Sequence, residues 1–150
     1  MDRRLSTRDR RVSDRGGRRG ADHRGRPLVL IVDDHADSRE LIAAVLQDVG
    51  VAIAEAATGG DALRRASGTP LPSLIILDLT LPDCHGTEVV RALKAAPGTS
   101  HIPIVALSAS VMPAAKQAAV ASGCEAFLEK PVLPDDVVAT VRRLLAAAGA

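Results

Sequence analysis

The feature that most constrains this chain is an unbroken apolar run, Leu28-Val29-Leu30-Ile31-Val32, that stops at two carboxylates, Asp33 and Asp34. A strand that is apolar at every position offers no face to water, so it belongs inside a sheet covered on both sides. The next segment has helical periodicity: Leu41, Ile42, Val45, Leu46 and Val49 recur at spacings of three and four. This predicts a helix over residues 37–49, with Gly50 as its stop.

The same alternation continues to the end of the chain. Residues 51–56, 74–77, 102–107 and 126–128 read as further strands, and residues 60–66, 88–95, 113–121 and 135–147 as further helices. Pro103 falls near the start of its strand, where a missing N–H does least harm. Pro113 suits a first helical position, Gly123 a helix stop, and Pro134 with two Asp residues a helix start. Five strands alternating with five helices imply a parallel sheet with helices on both faces, a three-layer α/β sandwich joined by right-handed crossovers. No segment remains for a second folded domain.

Charge divides the chain in two. Residues 1–26 carry ten Arg against four Asp, a net of +6, with only Leu5, Val12 and Ala21 as scattered apolar positions. Such a segment buries too little to offset the entropy of ordering, so a disordered Arg-rich arm is expected there, ahead of a folded domain over 27–150. The arm reads either as a contact for nucleic acid or an acidic partner, or as a solvated tail. Contact with nucleic acid is expected, if anywhere, only through it, because Phe127 is the lone aromatic and base-stacking modules need several. Cys84 and Cys124 show no CxxC spacing and read as ordinary thiols in a reducing cytoplasm. No apolar run approaches the roughly 18 residues of a membrane span, and no apolar segment follows the charged N-terminus as a signal peptide requires. A cytoplasmic protein without membrane contact is the expectation.

In open parallel sheets ligands bind at the carboxyl ends of the strands. Here the first strand ends in Asp33-Asp34, the third in Asp78, the fourth in Ser108 and the fifth in Glu129-Lys130, while the second ends in Glu55-Ala56-Ala57. An Asp or Ser after one strand is an ordinary cap or turn former. Three carboxylates converging on one edge repel each other, and a hard divalent cation relieves that. Carboxylate, cation, ammonium and hydroxyl together suit phosphoryl transfer: the carboxylate as nucleophile, the cation and Lys130 against phosphoryl charge, the hydroxyl as a donor. No GxxxxGK[ST] loop is present, so the expected donor is a phosphorylated protein or small compound rather than a bound nucleotide.

These residues resemble the receiver domain of two-component response regulators. The resemblance is carried by residues 28–34, by Leu74-Ile-Ile-Leu-Asp78-Leu-Thr-Leu-Pro82-Asp-Cys-His-Gly86, by Ile102-Pro-Ile-Val-Ala-Leu-Ser108-Ala, and by Phe127-Leu-Glu-Lys130-Pro131. It implies a flavodoxin-like (βα)5 fold with strands in the order 2-1-3-4-5. It implies Asp78 as phosphoacceptor, Mg²⁺ or Mn²⁺ held by Asp33, Asp34, Asp78 and the backbone carbonyl of Thr80, and Lys130 as phosphate partner. Ser108 would be the switch hydroxyl, Phe127 the aromatic coupled to it, and the Lys130-Pro131 bond cis. Pro82 and Gly86 would shape the loop after Asp78. Ser108 stands where threonine is commoner, and Phe127 lacks the hydroxyl of the frequent tyrosine. Thr80 and Ser110 lie where side chains tune phosphoryl lifetime; neither is acidic or amide-bearing, so fast self-dephosphorylation is not expected.

The implied partners are a sensor histidine kinase or phosphotransfer protein upstream, and a target protein docking on the fourth helix, fifth strand and fifth helix. Ala114, Ala115, Ala118 and Ala119 make that fourth helix small-sided, which fits a docking face as well as ordinary packing. The chain ends soon after its last helix, so signalling through partners is expected rather than through an attached output domain, from a monomer or weak dimer and with no enzymatic activity beyond its own phosphorylation chemistry. A phosphorylation-independent interaction module and an aspartate-nucleophile phosphatase are the rival classes; the latter would want DxD where this strand ends Asp33-Asp34-His35.

Overall fold

The computed structural model describes residues 25–110 and 112–148, so the expectation of a disordered arm over 1–26 falls almost wholly outside the described residues. The element order is β1 (Leu28–Val32), α1 (Ala36–Leu46), β2 (Ala52–Ala56), α2 (Gly59–Ala66), β3 (Leu74–Asp78), α3 (Gly86–Ala95), β4 (Ile104–Ser108), α4 (Pro113–Ser122), β5 (Ala126–Glu129) and α5 (Pro134–Ala147). All strands pair in parallel, in the order β2-β1-β3-β4-β5. This is the expected doubly wound flavodoxin-like arrangement. Among the described residues no helix is long and apolar enough to cross a membrane.

Strand periodicity explains why the three central strands are apolar throughout. Leu30, Val32, Ile75, Leu77, Ile104 and Ala106 point into one core, which α2, α3 and α4 cover. Val29, Ile31, Leu74, Ile76, Val105 and Leu107 point into the other, beneath α1 and α5. β2, whose Ala and Glu residues looked bland, is an edge strand and only partly buried along its middle.

Two local differences have physical causes. Leu41, expected on the buried face of α1, is 52% exposed, whereas Ile42 and Leu46 are buried. Leu41 sits one residue, about 100° of helix rotation, from Ile42, and so falls on the flank of the stripe. The last expected turn of that helix tightens into a 3₁₀ turn, Gln47–Val49, before Gly50 closes it at φ 85°. β4 begins at Ile104 rather than at residue 102, because Pro103 has no N–H and the Ile104 N–H donates to Glu125 Oε1 at 2.8 Å.

Candidate functional site

The strand order reverses between β1 and β3, and at that crevice their C-terminal residues stand side by side. Asp33, directly after β1, is completely buried; Asp78, the last residue of β3, is 4% exposed. The Asp33 N–H continues the sheet pattern by donating to the Ala56 carbonyl at 3.1 Å. Its side chain is therefore fixed at the edge before the chain turns toward α1.

Lys130, the first residue after β5, reaches across β4 to both carboxylates. Its Nζ donates to Asp33 Oδ2 at 2.9 Å and to Asp78 Oδ2 at 2.8 Å. The other Asp78 oxygen, Oδ1, accepts the Thr80 N–H at 2.9 Å, and Asp33 Oδ1 accepts the His35 N–H at 2.9 Å. Burial pushes the Asp33 carboxyl up, but the bonds from Lys130 and from the His35 amide outweigh it and hold the group below its ordinary range. Burial pushes Lys130 down, and its bonds to Asp78 and Asp33 more than reverse that. The edge is thus held as buried carboxylates around one ammonium.

That arrangement remains short of positive charge. Two buried carboxylates face one ammonium, and Asp34 adds a third acid whose side chain keeps 33% of its surface. One carboxylate oxygen each of Asp33, Asp34 and Asp78 and a ring nitrogen of His35 all lie within 4.8 Å of one another. Donors on bonds of roughly 2.1 Å to one cation stand at most about 4.2 Å apart, so a contraction of roughly half an ångström fits these residues to a small divalent ion.

The loop after Asp78 is built around Gly86. Its N–H donates to the Leu79 carbonyl at 2.7 Å, and a Cβ at that position would lie 2.7 Å from Leu79 Cα and 2.8 Å from the Asp78 carbonyl oxygen. Only glycine lets the start of α3 press so closely on the backbone of residues 78 and 79. A bridge between Thr80 and His85 closes the loop, with Pro82 exposed at its tip. Asp83 ties the same loop to the start of α2, accepting the N–H groups of Gly59 at 2.8 Å and Gly60 at 3.0 Å. Those two bonds hold its carboxyl below the ordinary value.

Ser108 ends β4 as a buried residue whose Oγ accepts the Ser110 N–H at 3.0 Å. Its hydroxyl hydrogen is left to donate elsewhere. Phe127 is half-buried and packs against the α2–α3–α4 core. Its outer side lines a groove of about 350 Å³ with Lys116, Glu129, Pro131, Leu133 and Asp136. The Lys130-Pro131 peptide there is cis, and Thr69-Pro70 is a second cis bond. On α4, Ala119 is buried and Ala115 half-buried, whereas Ala114 and Ala118 are exposed, so the alanines serve both packing and surface.

Three contributors lay beyond sequence reasoning. Arg39 donates from Nη1 to the Asp33 carbonyl at 2.7 Å and from Nε to Glu55 at 2.8 Å, clamping the end of β1 from α1. A lone Arg in a helix carries no signal of that. The Asp83 cap of α2 depends on a loop crossing 24 residues of sequence. His35 was legible only as the neighbour of Asp34, and the structure turns its ring onto both carboxylates.

The sequence profile of the response regulator receiver domain matches residues 29–142. The chain is similar to the two-component response regulator ORR5 of Oryza sativa subsp. japonica, with 32% identity over 127 residues, 85% of this chain and 95% of that protein. Among solved structures, a putative response regulator from Chloroflexus aurantiacus superposes with a TM-score of 0.77 at 32% identity, over 81% of this chain and 98% of that one. The chemotaxis response regulator CheY4 of Vibrio cholerae gives a TM-score of 0.74 at 32% identity, over 79% and 98% respectively.

Proposed function

The chain belongs to the response regulator receiver family, and from that premise we propose that it accepts a phosphoryl group on Asp78 from a sensor histidine kinase or phosphotransfer protein in the cytoplasm. The observation that carries this reading is the contact of one Lys130 ammonium with both Asp33 and Asp78 at 2.9 and 2.8 Å. That ammonium already stands beside the oxygen where phosphoryl charge would arrive.

In the proposed step a carboxylate oxygen of Asp78 attacks phosphorus, the P–N bond to the donor histidine breaks, and the departing imidazole takes a proton. Mg²⁺ or Mn²⁺, held by Asp33, Asp34, Asp78 and the Thr80 carbonyl, would supply positive charge at the phosphoryl oxygens. Lys130 exchanges a carboxylate contact for a phosphoryl one. The Thr80 N–H keeps the acceptor carboxyl oriented through its second oxygen. Ser108 donates its spare hydroxyl hydrogen to a phosphoryl oxygen and shifts toward it, and Phe127 moves with it.

Switching from 1:99 to 99:1 between two states requires about 5.5 kcal/mol of differential stabilisation. New charge-assisted bonds from Lys130 and Ser108, added to cation coordination, are of that order. The readout is the α4–β5–α5 surface, where the Phe127 groove opens toward a target protein. The chain's own chemistry is limited to accepting the group and losing it slowly by hydrolysis.

Incubation with Mg²⁺ and acetyl phosphate, followed by intact mass, tests the reading. One added phosphoryl group is expected on the wild-type chain and none on Asp78→Asn. An unmodified wild type, or equal modification of the variant, refutes it.

A further inference from the structure

Two histidines occupy the same structural position in this chain and are used differently. His85 precedes α3 as its N-cap, and its Nδ1 accepts the Thr87 N–H at 3.3 Å and meets Thr87 Oγ1 at 2.9 Å. His35 precedes α1 as its N-cap but makes no side-chain capping bond. Its Nδ1 instead lies 3.1 Å from Asp34 Oδ1 and 3.3 Å from Asp33 Oδ1. The ring is aimed at the acidic edge although a helix N-terminus is at hand, and 71% of the side chain stays exposed.

We propose that Nδ1 of His35 is a direct ligand of the divalent cation at the Asp33–Asp34–Asp78 edge, so that this site prefers borderline metals such as Ni²⁺ or Co²⁺ to Mg²⁺. The inference rests on the reading of that edge as a cation site. Donors on adjacent corners of an octahedron with bonds of roughly 2.1 Å stand about 3.0 Å apart, and opposite donors about 4.2 Å. The 3.1 and 3.3 Å separations are those of adjacent corners, and the whole set of four residues lies within 4.8 Å. The His35 amide is bonded to the same Asp33 Oδ1 at 2.9 Å, which holds the backbone of residue 35 beside the edge.

The chemistry follows from the donor set. Oxygen donors alone suit Mg²⁺, whereas imidazole nitrogen favours later first-row metals. One imidazole therefore raises affinity for Ni²⁺ and Co²⁺ without raising it for Mg²⁺.

The test uses the whole chain with Mn²⁺ as a paramagnetic probe and Ni²⁺ and Mg²⁺ in calorimetric titrations. Electron spin echo spectra of bound Mn²⁺ should show nitrogen coupling that His35→Phe abolishes and His101→Ala, at an exposed site away from the edge, retains. His35→Phe should weaken Ni²⁺ binding by about tenfold or more, at least what loss of an outer-shell partner costs, and leave Mg²⁺ binding unchanged. Mn²⁺ that is released by Asp34→Asn yet shows no nitrogen coupling overturns the proposal, as does an equal loss of Ni²⁺ and Mg²⁺ affinity in His35→Phe. An imidazole that only orients the carboxylates by hydrogen bonding, as Nδ1 does at 3.3 Å from Asp33 Oδ1, gives that result. If no metal binds in an Asp34-dependent manner, the reading of the edge as a cation site fails as well.

Discussion

Replacing Lys130 by Met tests the electrostatics of the edge because it removes one charge and keeps most of the aliphatic stem. In the wild type the ammonium faces Asp33, whose side chain is completely buried, and Asp78, whose side chain is 6% exposed. Deleting one member of a buried pair costs about 3–5 kcal/mol, since the remaining charge is left unmatched. Lys130 itself is 22% exposed, and water reaches the vacated position, so a loss on the order of 3 kcal/mol is expected, at the lower end of that range. With a urea slope of about 1–3 kcal/mol/M, the midpoint falls by about 1–3 M. Far-UV circular dichroism is the suitable probe, as the chain has no Trp or Tyr. Adding Asp33→Asn to Lys130→Met removes the unmatched carboxylate and should recover part of the loss, giving non-additivity of about 0.5–3 kcal/mol. A Lys130→Met protein within about 0.5 kcal/mol of wild type, as for an ordinary surface change, would show that the two contacts do not carry the edge.

Other substitutions separate stability from cation binding and probe the loop. Asp34→Asn removes the exposed member of the acidic set, so the metal-free protein should gain up to about 1 kcal/mol while cation affinity drops; urea unfolding with and without Mg²⁺ reads both. Gly86→Ala gains about 1 kcal/mol of helix propensity but places a Cβ 2.7 Å from Leu79 Cα and 2.8 Å from the Asp78 carbonyl oxygen. The clash should prevail, with a net loss of about 1–3 kcal/mol in thermal or urea unfolding. Asp83 has a folded value below the ordinary 3.8, so its contribution is fully present above that pH and is lost as pH falls through the lower folded value. Acid unfolding of Asp83→Asn should accordingly be less steep between those two values than that of the wild type.

Much of the architecture was legible because it is encoded locally. The runs Leu28–Val32 and Leu74–Leu77 announce central strands, and their odd and even residues divide between the two cores. Gly50 and Gly123 end their helices at positive φ as their positions suggested. The strand order is not a local property, and it came through the resemblance to receivers. Within the site, residues at strand ends were visible because parallel topology sends them to one edge. Contacts that depend on loop trajectory were not visible: Arg39 on the Asp33 carbonyl, Asp83 on the start of α2, and the ring of His35 on two carboxylates. Leu41 shows the limit in another form, since spacing alone does not say where the buried stripe of a helix ends.

The central claim is the identity of the acceptor residue, and chemical mapping addresses it most directly. The chain, phosphorylated by a histidine kinase or phosphotransfer protein in the presence of Mg²⁺, is reduced with borohydride, which converts an aspartyl phosphate to homoserine, and is then digested and sequenced by mass spectrometry. Homoserine at position 78 alone is the predicted result. Homoserine at position 33 or 34, a phosphoryl group retained on a histidine, or no modification at all would contradict it.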